Sequence, residues 1–333
     1  MSETHVIVEE LNATEWDSFV ASTGYSGFMQ TSAWAKVKKD EGWEIFQIAI
    51  RRKNKLVAAA LILGSRMENK KMFFYSPQGP VLKWHLKSHV QDLRTLTDAV
   101  AALSNRENGI CWRMEPWLLH SYGESLTQFQ PSPLNMQPVD TGLVPLNSSY
   151  EDVIQKFHPK VRYNIRIALR DGVTTHTGCE LEDFVEFYEN YKKTIDRKSL
   201  EFKEWEYFIS IQKHLGSTKK AFVITAKLED MAIASILVIC FADRVTYFFG
   251  GFDYDARKHM APYLCHAEAI KLGIEHKCAF YDLWGIANSD NKEHPWQSFT
   301  DFKLKFNPVR VTLAGAYDVV YDPEGYLPLI GIN

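Results

Sequence analysis

TYFFGGFDYDARKHMAPYLCHAEAIKLGIEHKCAFYDLWGIA, residues Thr246–Ala287, is the stretch whose reading decides the fold. It opens on β-branched and aromatic residues, Thr246-Tyr247-Phe248-Phe249, which read as a strand. A polar turn follows at Asp255–Met260. A helix then opens on Ala261-Pro262-Tyr263, with proline in the first turn, where an N–H is not needed. A second strand ends in Tyr281-Asp282-Leu283-Trp284-Gly285-Ile286.

Outward from this stretch, the pattern occurs twice. In the first half Trp43–Ile50, Leu56–Leu63 and Met72–Ser76 are short apolar runs separated by polar turns. In the second half Ala221–Ala226, Met231–Cys240 and Thr246–Gly250 repeat them. Both sets predict antiparallel meanders. Each is followed by a helix, at 88–105 in the first half and 262–276 in the second. Duplication of one α/β unit is the simplest account. Residues 131–149 carry four prolines among Asn, Ser and Gly, the composition of a linker. A helix starts after it at Ser149-Tyr150-Glu151-Asp152, with acidic residues in the first turn. After Pro308 the pattern predicts one further strand, Arg310–Tyr321, free to return to the first domain.

The bulk properties narrow the class. A chain of 333 residues, 46% hydrophobic and 24% charged, is long enough for two domains with cores of their own. The net charge of −3 excludes a protein that grips long duplex nucleic acid without specificity, so any RNA contact must come from a local patch. The N-terminal MSETHVIVEE does not have the pattern of a signal peptide. The longest apolar run, Met231–Ala242, is shorter than the roughly 20 residues of a membrane helix. Five scattered cysteines form no CxxC pair and suggest neither a disulfide framework nor a zinc site. A cytoplasmic protein without metal is expected.

Several residues could carry chemistry. Lys160, Arg162, Arg166 and Arg170 lie close together, the three arginines on one helix face, as a phosphate-binding stripe or as a solvated face. Lys303 follows Phe302 within SFTDFKLKF. A lysine beside aromatics can stabilise an oxyanion or clamp a phosphate; it can equally be a surface lysine on a helix whose phenylalanines are core. Glu115 ends a predicted strand before Pro116 and could orient or deprotonate an amine, or instead serve a salt bridge with Arg113 or a turn contact. Trp34, Trp43, Tyr75 and Tyr263 could stack a base or belong to the core. His158, His259, His266 and His276 show no ligand spacing and read as ordinary histidines.

The order around 246–286 resembles the heart of the N-acetyltransferase fold. There the pyrophosphate of coenzyme A rests on bare backbone amides at a helix N-terminus, which calls for glycine. Asp255-Ala256-Arg257-Lys258-His259-Met260 contains none, which argues for a different acyl donor. A more complete resemblance covers nearly the whole chain. QTSAWAKVKKDEGW (30–43), FFYSPQGPV (73–81), WRMEP (112–116), KVRYNIRIALRDGV (160–173), the 247–286 block and FTDFKLKF (299–306) resemble, in that order, the Fem-type (FemABX) aminoacyl transferases. The resemblance is to compact members that act on UDP-MurNAc-pentapeptide, because the region 181–215 has no room for the coiled-coil arm of larger members.

The resemblance implies an α/β (α+β) fold of two acetyltransferase-like (GNAT-like) domains. Each would have a mixed, mainly antiparallel sheet, with a groove between the domains. Residues 1–146 with 310–333 would form the precursor-binding domain, and 147–309 the domain for the tRNA end and catalysis. It implies transfer of Ala, Ser or Gly from aminoacyl-tRNA to the third stem-peptide residue of UDP-MurNAc-pentapeptide or lipid II, by a monomer without cofactor. Lys36 would contact the substrate pyrophosphate, as would Lys203, which replaces an arginine. Glu115 would sit near the accepting amine, and Tyr75, Trp34 and Tyr263 would line the substrate site. Phe302 and Lys303 would meet the tRNA 3′ end. Lys160, Arg162, Arg166, Arg170 and Lys305 would hold RNA phosphates. Asn307 stands where a glycine is common in the family. A coenzyme A-dependent N-acyltransferase and a non-catalytic precursor-binding module are the alternatives.

Overall fold

The computed structural model describes residues 4–7, 12–198, 202–288 and 295–331. In chain order the strands are β1 (Thr4–Ile7), β2 (Glu44–Arg52), β3 (Lys55–Arg66), β4 (Met72–Gln78), β5 (Val81–Leu82), β6 (Gly109–Pro116), β7 (Gln130–Pro131), β8 (Asp140–Pro145), β9 (Val173–Gly178), β10 (Ala221–Leu228), β11 (Met231–Phe241), β12 (Arg244–Phe252), β13 (Phe280–Gly285), β14 (Val309–Thr312) and β15 (Tyr317–Val320). The helices are α1 (Ala13–Ser22), α2 (Ser32–Asp40), α3 (His89–Glu107), α4 (Tyr150–Gln155), α5 (Pro159–Arg170), α6 (Leu181–Lys198), α7 (Trp205–Ile211), α8 (Ala261–Glu275), α9 (Gln297–Leu304) and α10 (Pro323–Leu329).

Two compact units result, residues 1–139 with 312–333 and residues 140–311. The first sheet runs β1-β2-β3-β4-β6-β15-β7, with β5 on β3; the second runs β14-β8-β13-β12-β11-β10-β9. Each holds a parallel pair, β4 with β6 and β12 with β13. Tight turns build the hairpins. Lys53 and Asn54, both at positive φ, join Arg52 to its partner Lys55. Glu229, at φ 55°, does the same between Leu228 and Met231.

The second unit carries the candidate site. The apolar run of β11 is buried along most of its length, as a central strand covered on both faces must be. Alternation directs Ser235 to Asn190 of α6, while the neighbouring Ala234 packs in the core that includes Cys265 of α8. Ser149 caps α4 by accepting from the Asp152 N–H at 3.2 Å.

Two sequence expectations are corrected. The strand β8, at 140–145, pairs with β13 and belongs to the second sheet, so the proline-rich join precedes it. Arg310–Tyr321 is two strands in different sheets. The break falls at Gly315, whose φ of 80° does not continue a strand.

Candidate active site

The parallel pair of the second unit is short. β12 and β13 are registered only from Arg244↔Phe280 to Thr246↔Asp282. Beyond that point Trp284 has φ 60°, a left-handed conformation rare for a bulky residue, and the register of β13 on β8 shifts between Asp282 and Gly285. Asp282, 1% exposed, accepts through Oδ1 from Thr141 Oγ1 at 2.5 Å and from the Trp284 N–H at 2.9 Å. The Gly285 carbonyl accepts from Lys303 Nζ at 2.7 Å.

Lys303 is therefore not a surface lysine. Its side chain is buried, with Nζ 5.5 Å from the centroid of the Tyr247 ring. Burial disfavours the charged form and lowers its pKa to about 8, against the opposing pull of Asp282. Burial raises the Asp282 carboxyl in turn.

The Tyr247 ring that lies near Lys303 Nζ is also a wall of a cavity of about 380 Å³. Tyr247, Gly250, Tyr263, His266 and Phe302 are among the residues that line it. Its size and aromatic walls suit a small organic group. The two glycines of TYFFGG have a steric reason. A Cβ on Gly250 would stand 2.4 Å from the Tyr247 hydroxyl, and one on Gly251 would stand 2.2 Å from the Asn190 carbonyl oxygen. His266 pairs through Nδ1 with the Tyr281 hydroxyl at 2.6 Å. Burial, then Lys303, lowers its pKa to about 3, so it is neutral near pH 7. Burial raises Tyr247 to about 12.

The structure gathers several predicted residues here. The Phe302 ring lies 5.1 Å from that of Tyr263. The His158 N–H at the start of α5 donates to the Lys305 carbonyl at 2.9 Å, and Phe157 meets Phe306 at 5.3 Å. The cationic helix thus starts beside the Phe302-Lys303 segment. On α5, Val161, Ile165 and Ala168 are buried while Lys160, Arg166 and Arg170 are exposed. Arg162 is half-buried and donates to the Gln155 carbonyl at 2.9 Å; Arg170 pairs with Asp171 at 3.0 Å. Asp171 also meets His259 at 3.0 Å, which ties the turn before α8 to the end of α5. Lys203 lies 5.4 Å from the Tyr207 ring centroid.

The first-unit residues differ in kind. Lys36 is exposed on α2. Trp34 is not available to stack on a ligand: it is 1% exposed and edge-on to Phe28 at 5.1 Å, because its face of α2 is covered by the core. Tyr75 is likewise buried. Its hydroxyl donates to Glu115 Oε2 and accepts from Gln137 Nε2 at 2.9 Å. Glu115 Oε1 accepts from the Met136 and Gln137 N–H groups at 2.5 and 3.2 Å. Arg113 makes no pair with it and instead grips Asp318 through two bonds of 2.8 Å. Of the two bland readings of Glu115, the turn contact is the one seen. Burial raises its pKa against these donors.

Tyr247, His266, Thr141 and Asp282 escaped the sequence reading. The glycine pair inside a strand was the available signal, since it marks close approach of another group. Among the described residues no cluster of three His, Cys, Asp or Glu could hold a metal, and no helix is long and apolar enough to cross a membrane.

These two mixed sheets define a tandem GNAT-like fold. The chain matches the crystal structure of FemX with a TM-score of 0.88 at 18% identity, over 98% of this chain and 100% of that one. A tandem GNAT protein from the clavulanic acid biosynthesis pathway matches with a TM-score of 0.56 at 10% identity, over 96% and 99%. The FemAB family model matches residues 11–141, 119–229 and 210–327, and the chain belongs to the FemAB family. A curated relative, lipid II:glycine glycyltransferase of Staphylococcus aureus (strain MRSA252), is 23% identical over 238 residues. That match covers 67% of this chain and 56% of the relative, so the chain spans about half the length of the curated relatives it matches.

Proposed function

We propose that this chain transfers an amino acid from aminoacyl-tRNA to an amine on the stem peptide of a peptidoglycan precursor, lipid II or UDP-MurNAc-pentapeptide. The observation that carries the reading is the buried Lys303 ammonium beside an aromatic cavity in a FemAB-family chain. The relative's name, a lipid II:glycine glycyltransferase, supports the acceptor class and makes glycine one of three donors, with alanine and serine.

The chemistry follows from the groups present. An aminoacyl ester is already activated, so aminolysis needs no ATP. Attack of the amine on the ester carbonyl forms a tetrahedral oxyanion. With a pKa near 8, Lys303 is mostly cationic at pH 7. One of its three N–H donors is used by Gly285, which leaves donors for the oxyanion. Phe302 and Tyr263 offer ring faces to the 3′ end of the donor, and the exposed cations of α5, with Lys305, meet its phosphates. Lys36 and Lys203 offer positive charge to the pyrophosphate of the acceptor, Lys203 without the bidentate fork of arginine. Glu115 enters as the anchor of the loop at Met136-Gln137, since both of its oxygens have internal partners. The intermediate collapses by breaking the ester C–O bond, and the proton of the attacking amine passes by way of the vicinal ribose hydroxyl to the departing ribose oxygen.

Coenzyme A is disfavoured by the turn before α8. The N–H groups of Arg257, His259, Met260 and Tyr263 already donate to carbonyls within it, which takes these four amides away from a pyrophosphate. Incubation with charged tRNA and either precursor should yield a product heavier by one amino-acid residue in mass spectrometry. No transfer with any amino acid onto either acceptor would sink the proposal.

A further inference from the structure

Asp282 has no part in the steps above, yet it is the carboxylate whose charge acts on Lys303. A carboxylate only 1% exposed persists where donors or opposite charge hold it. Both of its hydrogen bonds described above end on Oδ1. The bond from Trp284 holds a residue whose left-handed backbone is unfavourable for a bulky side chain when left to itself. That residue directly precedes Gly285, whose carbonyl receives the Lys303 ammonium. One side chain thus pins the bulge whose next carbonyl holds the cation.

The other titratable groups nearby do not supply that charge. Arg244 of β12 is a cation that favours ionised Asp282. His266 of α8 is neutral, and burial keeps Tyr247 of β12 and Tyr281 of β13 protonated. We infer that Asp282 is a positioning residue for Lys303, holding the Trp284 bulge that aims the Gly285 carbonyl and supplying the counter-charge of the ammonium. This rests on the reading of Lys303 as the group that meets the transferred ester.

NMR titration of the full chain labelled at lysine Cε tests the inference without any turnover. Loss of one resonance in Lys303→Arg identifies the signal, with a midpoint expected near 8 in the wild type. Asp282→Asn keeps an acceptor for the Trp284 N–H but removes the charge, so the midpoint falls by about one unit. At pH 8 the protonated fraction then drops from about half to about a tenth, a roughly fivefold loss of any transfer that needs the cation. Thr141→Val, the milder change, removes the hydroxyl that favours the ionised Asp282 carboxylate, weakens the counter-charge and lowers the midpoint by less than Asp282→Asn does. A midpoint unmoved in folded Asp282→Asn overturns the inference; if that variant does not fold, an unmoved midpoint in Thr141→Val does so. A shifted midpoint in a chain whose wild type transfers nothing supports the Asp282–Lys303 coupling and sinks the transferase reading alone.

Discussion

The two units meet the same problem, a gap between neighbouring strands, with different side chains. In the first, β3 and β4 are registered from Leu63↔Tyr75 to Arg66↔Met72. Beyond that, the buried amide of Gln30 fills the gap. Its Nε2 donates to the carbonyls of Leu61 and Pro77 at 3.2 and 2.7 Å, and its Oε1 accepts from the Leu61 N–H at 2.9 Å. In the second, β12 and β13 part after Thr246↔Asp282. There the Trp284 N–H is met by the carboxylate of Asp282 and the Gly285 carbonyl by the ammonium of Lys303. Backbone groups must be satisfied in both cases. In the first unit a neutral amide closes the gap. A charged pair satisfies the same kind of group and leaves an ammonium beside a cavity. The difference is the reason the proposed chemistry is placed in the second unit.

The strongest way to break this comparison is to remove the charge. Lys303→Ala should lower transfer a few hundredfold or more, about 3–4 kcal/mol, with the circular dichroism spectrum unchanged. Glu115→Gln should cost less than about tenfold, because its role is to hold a loop. Equal losses in a steady-state assay would place chemistry in both units.

Stability against pH sharpens the contrast. The folded pKa of Lys303, about 8, lies below the ordinary 10.5, so between these values the unfolded chain binds more protons. Stability should therefore rise with pH across that window, by up to about 3 kcal/mol. Urea unfolding of Lys303→Met should lack this rise. Gln30→Leu supplies the counterpart in the first unit. It strands the Leu61 and Pro77 backbone groups and should cost about 2–3 kcal/mol at every pH, with turnover per folded molecule unchanged.

Smaller effects refine the cavity and the cationic face. Gly250→Ala drives a methyl toward the Tyr247 hydroxyl and should slow transfer about tenfold by shifting the ring over Lys303. Arg166→Ala combined with Arg170→Ala should weaken binding of charged RNA a few-fold and flatten its salt dependence, as read by titration at several ionic strengths. Equal binding at all salt concentrations would return α5 to a solvated face.

Particular residues show how far the sequence could be read. The hairpins were legible because apolar runs bounded by Lys53-Asn54 or Glu229-Asp230 have one local solution. The start of α8 was legible from Pro262, and Phe302-Lys303 from its motif. Trp34 and Tyr75 were overread, because an aromatic residue does not disclose whether its face will be covered. His266 reads as ordinary in the sequence, since its partners Tyr281 and Phe302 lie 15 and 36 positions away. The single strand expected at 310–321 failed at Gly315, where the chain crosses from one sheet to the other.

By itself, then, the sequence determined the repeated α/β pattern, its turns and the candidate lysine, because strand period, turn chemistry and helix starts depend on residues a few positions apart. Only the tertiary structure decided that Lys303 is buried, that Asp282 holds the bulge before its carbonyl partner and that Tyr247, beside Lys303, lines an aromatic cavity. Desolvation depends on which distant elements cover a side chain, and β8, β12, β13, α8 and α9 come together only in the folded chain.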